Sequence, residues 1–394
     1  MLFKFSQIFI SEESRYDEIT NRILQIYRDI PVTFLKETNI QLKRLSEYPL
    51  DRGKRKLWLT HFKGRFLKPC PGTATSYRCC NYLVINETIN CPIDCSYCIL
   101  QDYISSPVIT VYTNFETILD EINAISHANP ERILRIGTGE LTDSLALDPV
   151  TGLSSQIIHK ISSLPNIIFE LKSKTDNIVH LLDQNPARVV ISWSVNPEEI
   201  VRKEEHKSAS LRQRMKAAAR AAENKFMIGW HFDPIIYYPE WQDGYEKLIR
   251  LMGEHVPVSQ IAWISLGSFR HPPRLRDIIR QRFPETILLS AEQITGHDGK
   301  LRYIKPLRRH LYHFVADKIQ KYIGDAFIYF CMESQDLWEE VLGKKPLNNQ
   351  DIDFFFAESL SRRFSALNLP PPRRKIYQHP AINSNYQAPK SKKS

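Results

Sequence analysis

Between Cys91 and Cys98 the chain reads Cys-Pro-Ile-Asp-Cys-Ser-Tyr-Cys, three thiols spaced by three residues and then by two. Thiols packed this closely cannot all enter disulfides of good geometry, and metal ligation is the chemistry their spacing suits. A structural zinc site takes four Cys or His ligands, and no second Cys-x-x-Cys or His-x-x-x-His follows to complete one. A 4Fe-4S cluster is bound through Cys thiolates; with three supplied by the chain, one iron stays open to an outside ligand. A zinc knuckle, or buried thiols close together by chance, are the competing readings.

The elements that must position this loop read as strands alternating with helices. Short apolar, β-rich runs occur at Leu83–Ile85, Ile133–Ile136, Ile167–Leu171, Val189–Trp193, Phe226–Trp230 and Ile261–Ile264, with helical patterns between them, clearest at Ser208–Glu223 and Trp241–Gly253. Six strand-then-helix units predict a parallel α/β architecture, because parallel strands need crossovers and helices supply them. Six units, not eight, predict an open partial barrel. In parallel barrels the C-terminal ends of the strands face the ligand. The cysteine loop follows the first run, and polar residues stand at the ends of the other five: Gly137-Thr138-Gly139-Glu140, Lys172 and Lys174, Ser194 and Asn196, His231 and Asp233, Ser265 and Ser268. The glycines allow close backbone approach to a ligand, and Glu140 can accept hydrogen bonds from an ammonium group. A plain tight turn is the alternative for that element.

The cysteine loop, with Tyr97 just before its last thiol, resembles that of the radical S-adenosylmethionine (SAM) superfamily. There the open iron chelates the amino and carboxylate groups of SAM, and the reduced cluster cleaves it to a 5′-deoxyadenosyl radical. Gly137-Thr138-Gly139-Glu140 is similar to the superfamily's glycine-rich element that binds the methionine amino group. A narrower resemblance is carried by Phe66-Leu67-Lys68-Pro69-Cys70-Pro71-Gly72-Thr73, Cys79-Cys80, Tyr82 and Cys98-Ile99-Leu100-Gln101. It continues through Ser173-Lys174, His180, Ser194-Val195-Asn196, Asp233-Pro234-Ile235, Trp241 and Gly244-Tyr245, in one order from Phe62 to Glu333. These resemble the spore photoproduct lyase family. The resemblance implies a lyase on a partial (β/α)6 radical SAM barrel that flips a thymine dimer lesion out of DNA and reverses it. It implies 4Fe-4S ligation by Cys91, Cys95 and Cys98, the catalytic group together with Tyr97. SAM would be held by Tyr97, Glu140, Thr142, Lys174, Ser194 and Asn196, and a reductase or a flavodoxin- or ferredoxin-type protein would supply electrons. Two positions depart from the family: Leu141 stands where a hydrogen-donating cysteine is expected, and Ile99 where a tyrosine is expected. Neither side chain carries an S–H or O–H.

The chain of 394 residues, 42% hydrophobic, is long enough for one large catalytic body with appendages. Its net charge of +9 favours a polyanionic partner such as nucleic acid. The odd cysteine count, with three bunched, fits a reducing cytoplasm. Residues Met1 to Ser14, broken by Lys4 and Gln7, do not read as a signal peptide, and no run reaches the ~20 apolar residues of a membrane span. Three regions are expected: 1–81, a helical and basic N-terminal region; 82–345, the barrel; and 346–394, a C-terminal extension whose basic tail is disordered from Leu369. Two basic groups could meet nucleic acid. One runs through Asp51–Lys68, interleaved with Trp58, Phe62 and Phe66; the other comprises Lys305, Arg308, Arg309 and His310. Rival functions are a radical SAM enzyme of the same fold acting on RNA or a metabolite, and a non-catalytic Fe-S protein that binds nucleic acid.

Overall fold

The computed structural model describes residues 2–36, 43, 45–71 and 76–382. In chain order the strands are Gln7–Ser11 (β1), Val32–Leu35 (β2), Lys56–Thr60 (β3), Leu67–Pro69 (β4), Leu83–Ile85 (β5), Thr88–Ile89 (β6), Asp94–Cys95 (β7), Ile109–Tyr112 (β8) and Leu134–Gly137 (β9). They continue with Ile167–Ser173 (β10), Val189–Ser194 (β11), Glu205–His206 (β12), Met227–Ile235 (β13), Ile261–Ser268 (β14), Arg270–His271 (β15), Gln293–Thr295 (β16), Leu301–Tyr303 (β17) and Ile328–Phe330 (β18).

The six runs expected as barrel strands are neighbours in one sheet, ordered β18-β14-β13-β11-β10-β9-β5-β4. All are parallel except the edge strand β4, which runs antiparallel to β5. β18 adds a seventh parallel strand beyond Phe283, where the sequence reads as a further strand and helix packed on the body. Helices cover the outer face, so β11 and β14 are buried along their whole length and read as near-continuous apolar runs. The helix Leu211–Glu223 starts at a capping box, in which the Ser210 side chain accepts from the Gln213 N–H and the Gln213 side chain accepts from the Ser210 N–H.

The concave face is polar because alternate residues point there. Glu170 and Lys172 of β10 share it with Ser192 and Ser194 of β11 and with His231 of β13. Glu170 is the centre of this floor: its Oε1 accepts from Ser192, from Trp263 Nε1 at 3.0 Å and pairs with His231 Nε2 at 2.7 Å. Burial alone would raise the Glu170 carboxyl, but the charge and hydrogen bond of His231 hold it down at about 2. Burial works against the charge of His231, and Glu170 outweighs it and raises its pKa. Gly229 is required here, since a Cβ at that point would collide with the Ser192 hydroxyl.

The N-terminal region departs from the helical expectation. Of residues 15–47, Glu18–Ile26 is a helix, but Val32-Thr33-Phe34-Leu35 is β2, paired in parallel with β1. Its β-branched and aromatic residues favour a pleated surface. The sheet has the order β2-β1-β3-β8-β6. Because Leu57 of β3 pairs with Ile109 of β8, the sheet crosses the boundary expected at residue 81.

The C-terminal extension also differs. The helix Asn349–Arg363 packs on the body, and the chain stays ordered beyond Leu369. Tyr377 is buried, and its hydroxyl accepts from the Ile133 N–H at 3.0 Å; Arg132 donates to the carbonyls of Ile376 and His379. A Pro-rich segment with no core of its own is thus held by groups at the foot of the barrel. The part of the tail from residue 383 lies outside the described residues.

Candidate active site

The cysteine loop leaves the barrel after β5 and is fixed at both ends. Asn90, at φ 71°, turns the chain; its side chain accepts from the Cys91 N–H at 2.8 Å and donates to the Pro107 carbonyl at 2.6 Å. Asparagine tolerates this left-handed conformation. In mid-loop, the Asp94 carboxylate gathers cations from separate elements: Lys54 at 2.9 Å, Arg282 at 3.1 Å and Lys207 at 3.9 Å. Burial raises the Asp94 carboxyl, but Lys54 and Arg282 outweigh it and hold it below the usual range. Lys54 also donates to the Ile93 carbonyl at 2.7 Å. On the other side β7 pairs with β12, Cys95 opposite Glu205. Gln101 donates to the Ser96 carbonyl at 2.8 Å and closes the loop.

Cys91, Cys95 and Cys98 line one cavity of about 300 Å³ at the C-terminal end of the strands, with Tyr97 beside them. Cys91 and Cys95 are buried and Cys98 is half-buried. Among the described residues no three His, Cys, Asp or Glu side chains converge as a single metal ion would require. The irons of a cluster take their thiolates individually, so three thiols along a shared wall suit a cluster better than a lone zinc. Burial pushes the Cys91 thiol up to about 12 and that of Cys95 well above its usual value. Thiols so placed give up their protons to a metal.

The facing wall comes from the strand ends, as the barrel geometry predicts. Glu140, Thr142, Lys174 and Ser194 all line the cavity. Glu140 accepts from Asn86 at 2.7 Å. Gly139, at φ +92°, makes the turn that delivers it. Asp143 locks the next turn by accepting from the Ser173 hydroxyl and the N–H groups of Lys174 and Leu145, while burial raises its carboxyl. The Thr142 hydroxyl is buried without a partner and borders the cavity, an orphan that a bound polar ligand would satisfy. Asn196 is a correction. It lies behind the wall, its amide donating to Glu205 at 3.0 Å and accepting from Tyr245 at 3.1 Å, so it is spent on protein contacts. The donor set as a whole fits a 4Fe-4S cluster with a zwitterionic ligand beside it.

A second end of the cavity is lined by Lys172, Asp233, Ser268, Arg270, Lys300 and Met332. Sequence reasoning had singled out Lys172, Asp233 and Ser268 at strand ends but missed Arg270, Lys300 and Met332. Arg270 lies two residues past the end of β14, and Lys300 follows the Asp298-Gly299 turn of the β16–β17 hairpin, a recognisable signal. Met332 follows β18 and carried no signal. Leu141 packs against the cysteine loop, and Ile99 lines the cavity. Cys79 and Cys80 are buried in the barrel core, and neither they nor Cys70 line the cavity.

The second of the two expected basic groups is paired with acids. Arg308 is buried against Glu333 at 3.0 Å, Arg309 pairs with Glu340 at 2.5 Å, Lys305 pairs with Asp336, and His310 packs edge-on against Trp241. Burial takes Arg308 off the surface expected to face nucleic acid, whereas Arg309 stays exposed beside Glu340. In the Asp51–Lys68 stretch, Phe62 and Phe66 pack on Tyr112 and Lys54 serves the cysteine loop.

Residues 74–331 match the family model described as spore photoproduct lyase. The chain belongs to the spore photoproduct lyase family. It is 23% identical over 245 residues to the spore photoproduct lyase of Bacillus subtilis (strain 168), covering 60% of this chain and 71% of that one. With the Geobacillus sp. (strain Y412MC61) enzyme it shares 26% identity over 203 residues, 50% of this chain and 59% of that one. A solved spore photoproduct lyase complexed with dinucleoside spore photoproduct superposes with a TM-score of 0.74 at 19% identity, covering 84% of this chain and all of the other. The partial radical SAM barrel is therefore the family's fold.

Proposed function

We propose that the protein is a radical SAM lyase that repairs a thymine photolesion in DNA. The observation that carries this reading is the single cavity in which three thiols face Glu140, Thr142, Lys174 and Ser194, in a chain of the spore photoproduct lyase family. A family member has been solved with bound AdoMet and dinucleoside spore photoproduct, which supports the same pair of ligands here. When bound, the cluster and SAM supply a 5′-deoxyadenosyl radical able to take hydrogen from an unactivated carbon. Cys91, Cys95 and Cys98 hold the cluster. Glu140 accepts hydrogen bonds from the amino group of SAM, Lys174 faces its carboxylate, and Thr142 and Ser194 offer hydroxyls. Tyr97 packs beside the adenine. Arg270 and Lys300 at the second end put cations where a phosphate backbone enters.

Leu141 and Ile99 favour a second reading, in which the same chemistry acts on a different lesion, an RNA or a metabolite. Neither residue can return hydrogen to a product radical, so it must come back from 5′-deoxyadenosine, from another thiol or from outside the protein. No helix of the described residues is long and apolar enough to cross a membrane, in keeping with a cytoplasmic repair enzyme served by a flavodoxin- or ferredoxin-type donor. The test is anaerobic reconstitution followed by product analysis with SAM, dithionite and dinucleoside spore photoproduct. Thymine formation supports the first reading. SAM cleavage without any change in the dinucleoside supports the second.

A further inference from the structure

The wall assigned to SAM rests on a buried ion pair that the strand-end pattern did not reveal. Glu205 and Arg214 have no solvent-accessible side-chain surface and meet at 2.5 Å. Glu205 Oε1 accepts from the Tyr97 hydroxyl and from Asn196 Nδ2 at 3.0 Å. Arg214 donates to the carbonyls of Ser194 at 2.9 Å and Ala209 at 3.0 Å, and the Ala209 N–H in turn donates to the carbonyl of Lys174 at 2.9 Å. The backbone of Glu205 pairs with that of Cys95. Tyr97, Lys174 and Ser194 reach the cavity from three different elements, and all three are tied to this one pair.

We propose that Glu205 is a positioning residue for SAM, acting through Tyr97. The inference rests on the proposed function and deepens it. Tyr97 is half-buried between the cysteine loop and Lys174, whose ammonium lies 5.6 Å from the ring centre. Without its hydroxyl partner the ring is free to turn within the cavity. The Tyr97 hydroxyl and the Asn196 amide both donate to Glu205 Oε1, and the Arg214 guanidinium pairs ionically with Oε2. Only a group with two acceptor oxygens serves all three, and charge-assisted bonds of this kind are the strong ones. Glutamine keeps the size but turns one acceptor into a donor, so it cannot hold Arg214 and Tyr97 together.

The test measures SAM affinity by equilibrium binding, together with iron per chain and thermal midpoint, on reconstituted wild type, Glu205→Gln, Tyr97→Phe and the double variant. Because Glu205→Gln leaves the buried Arg214 charge without its counterion, its thermal midpoint is read beside its SAM affinity, and Tyr97→Phe, which keeps the ion pair, is the control. Glu205→Gln is expected to keep its iron and weaken SAM binding about tenfold, as for loss of a charge-assisted hydrogen bond. Tyr97→Phe is expected to do the same, and the double variant to be no weaker than the weaker single, since both remove one interaction. Unchanged SAM affinity in Glu205→Gln, losses that multiply in the double variant, or loss of iron in step with SAM affinity overturns the inference. A wild-type protein that holds iron but takes up no SAM overturns the functional reading, an outcome distinct from a variant that binds as wild type does.

Discussion

The two ends of the cavity are built differently. At the cysteine end the loop and the turns beside it are fastened by paired polar groups, Asp94 to three cations, Asp143 to three donors, Glu140 to Asn86 and Tyr97 to Glu205, and the Thr142 hydroxyl is left for a ligand. At the far end, among the described residues, Asp233 keeps one buried carboxylate oxygen without a hydrogen-bond partner, and Lys300 has only the Met332 sulfur, at 3.9 Å, as a hydrogen-bond acceptor. A pre-organised wall suits a cofactor of fixed shape, because groups already held lose little freedom on binding. The uncommitted end suits a ligand that enters, reacts and leaves.

Alterations to the committed end should have the largest effects. Substituting Cys91, Cys95 or Cys98 by Ala should abolish cluster binding, measured as iron per chain after anaerobic reconstitution. Next comes the floor beneath both ends, where Glu170→Gln breaks a buried pair and should cost about 3 kcal/mol of unfolding free energy in urea titration. The sign of its pH dependence follows from the two shifts. The Glu170 carboxyl is lowered from 4.5 to about 2, so its contribution is complete above 4.5 and is lost as the pH falls toward 2. The pKa of His231 is raised from 6.5, so its contribution is complete below 6.5 and is lost as the pH rises through the folded value. Thermal midpoints of the wild type should therefore fall above pH 6.5, a decline that Glu170→Gln should remove or reverse.

At the uncommitted end, Lys300→Ala should leave SAM affinity unchanged while weakening lesion-bearing DNA about tenfold and flattening its salt dependence by about one phosphate contact. Equal losses for both ligands would erase the distinction between the ends. Leu141→Cys should shift products toward clean thymine on dinucleoside spore photoproduct, read by chromatography; no change would place the hydrogen donor elsewhere. The smallest effect is expected from Arg309→Glu, whose pair with Glu340 is exposed and screened by solvent. Its salt slope on DNA should match that of wild type.

What the sequence made legible was local. The three thiols, the polar residues at strand ends and the six apolar runs each lie within a few residues of one another, and the repeating strand-to-helix pattern fixes which ends share a face. Lys54, Arg282 and Lys207 meet at Asp94 from three distant segments, and Glu205 reaches Tyr97 across more than a hundred residues. No period or motif encodes such meetings. Residues 15–47 read as one or two amphipathic helices because Ile19, Ile23, Leu24, Ile26 and Tyr27 recur at three- and four-residue steps, but all of these precede Pro31 and β2 lies beyond it. Arg308 and Arg309 looked like a basic patch because the acids that neutralise them, Glu333 and Glu340, come later in the chain.

We propose that the three thiols and the strand-end wall form a single SAM-cleaving site. Reducing the anaerobically reconstituted protein with dithionite in the presence of SAM, and quantifying 5′-deoxyadenosine alongside bound iron, tests this. About one 4Fe-4S cluster per chain is expected, with 5′-deoxyadenosine formation that disappears in Cys95→Ala. Stoichiometric zinc without iron, or a full cluster that leaves SAM intact, would contradict it.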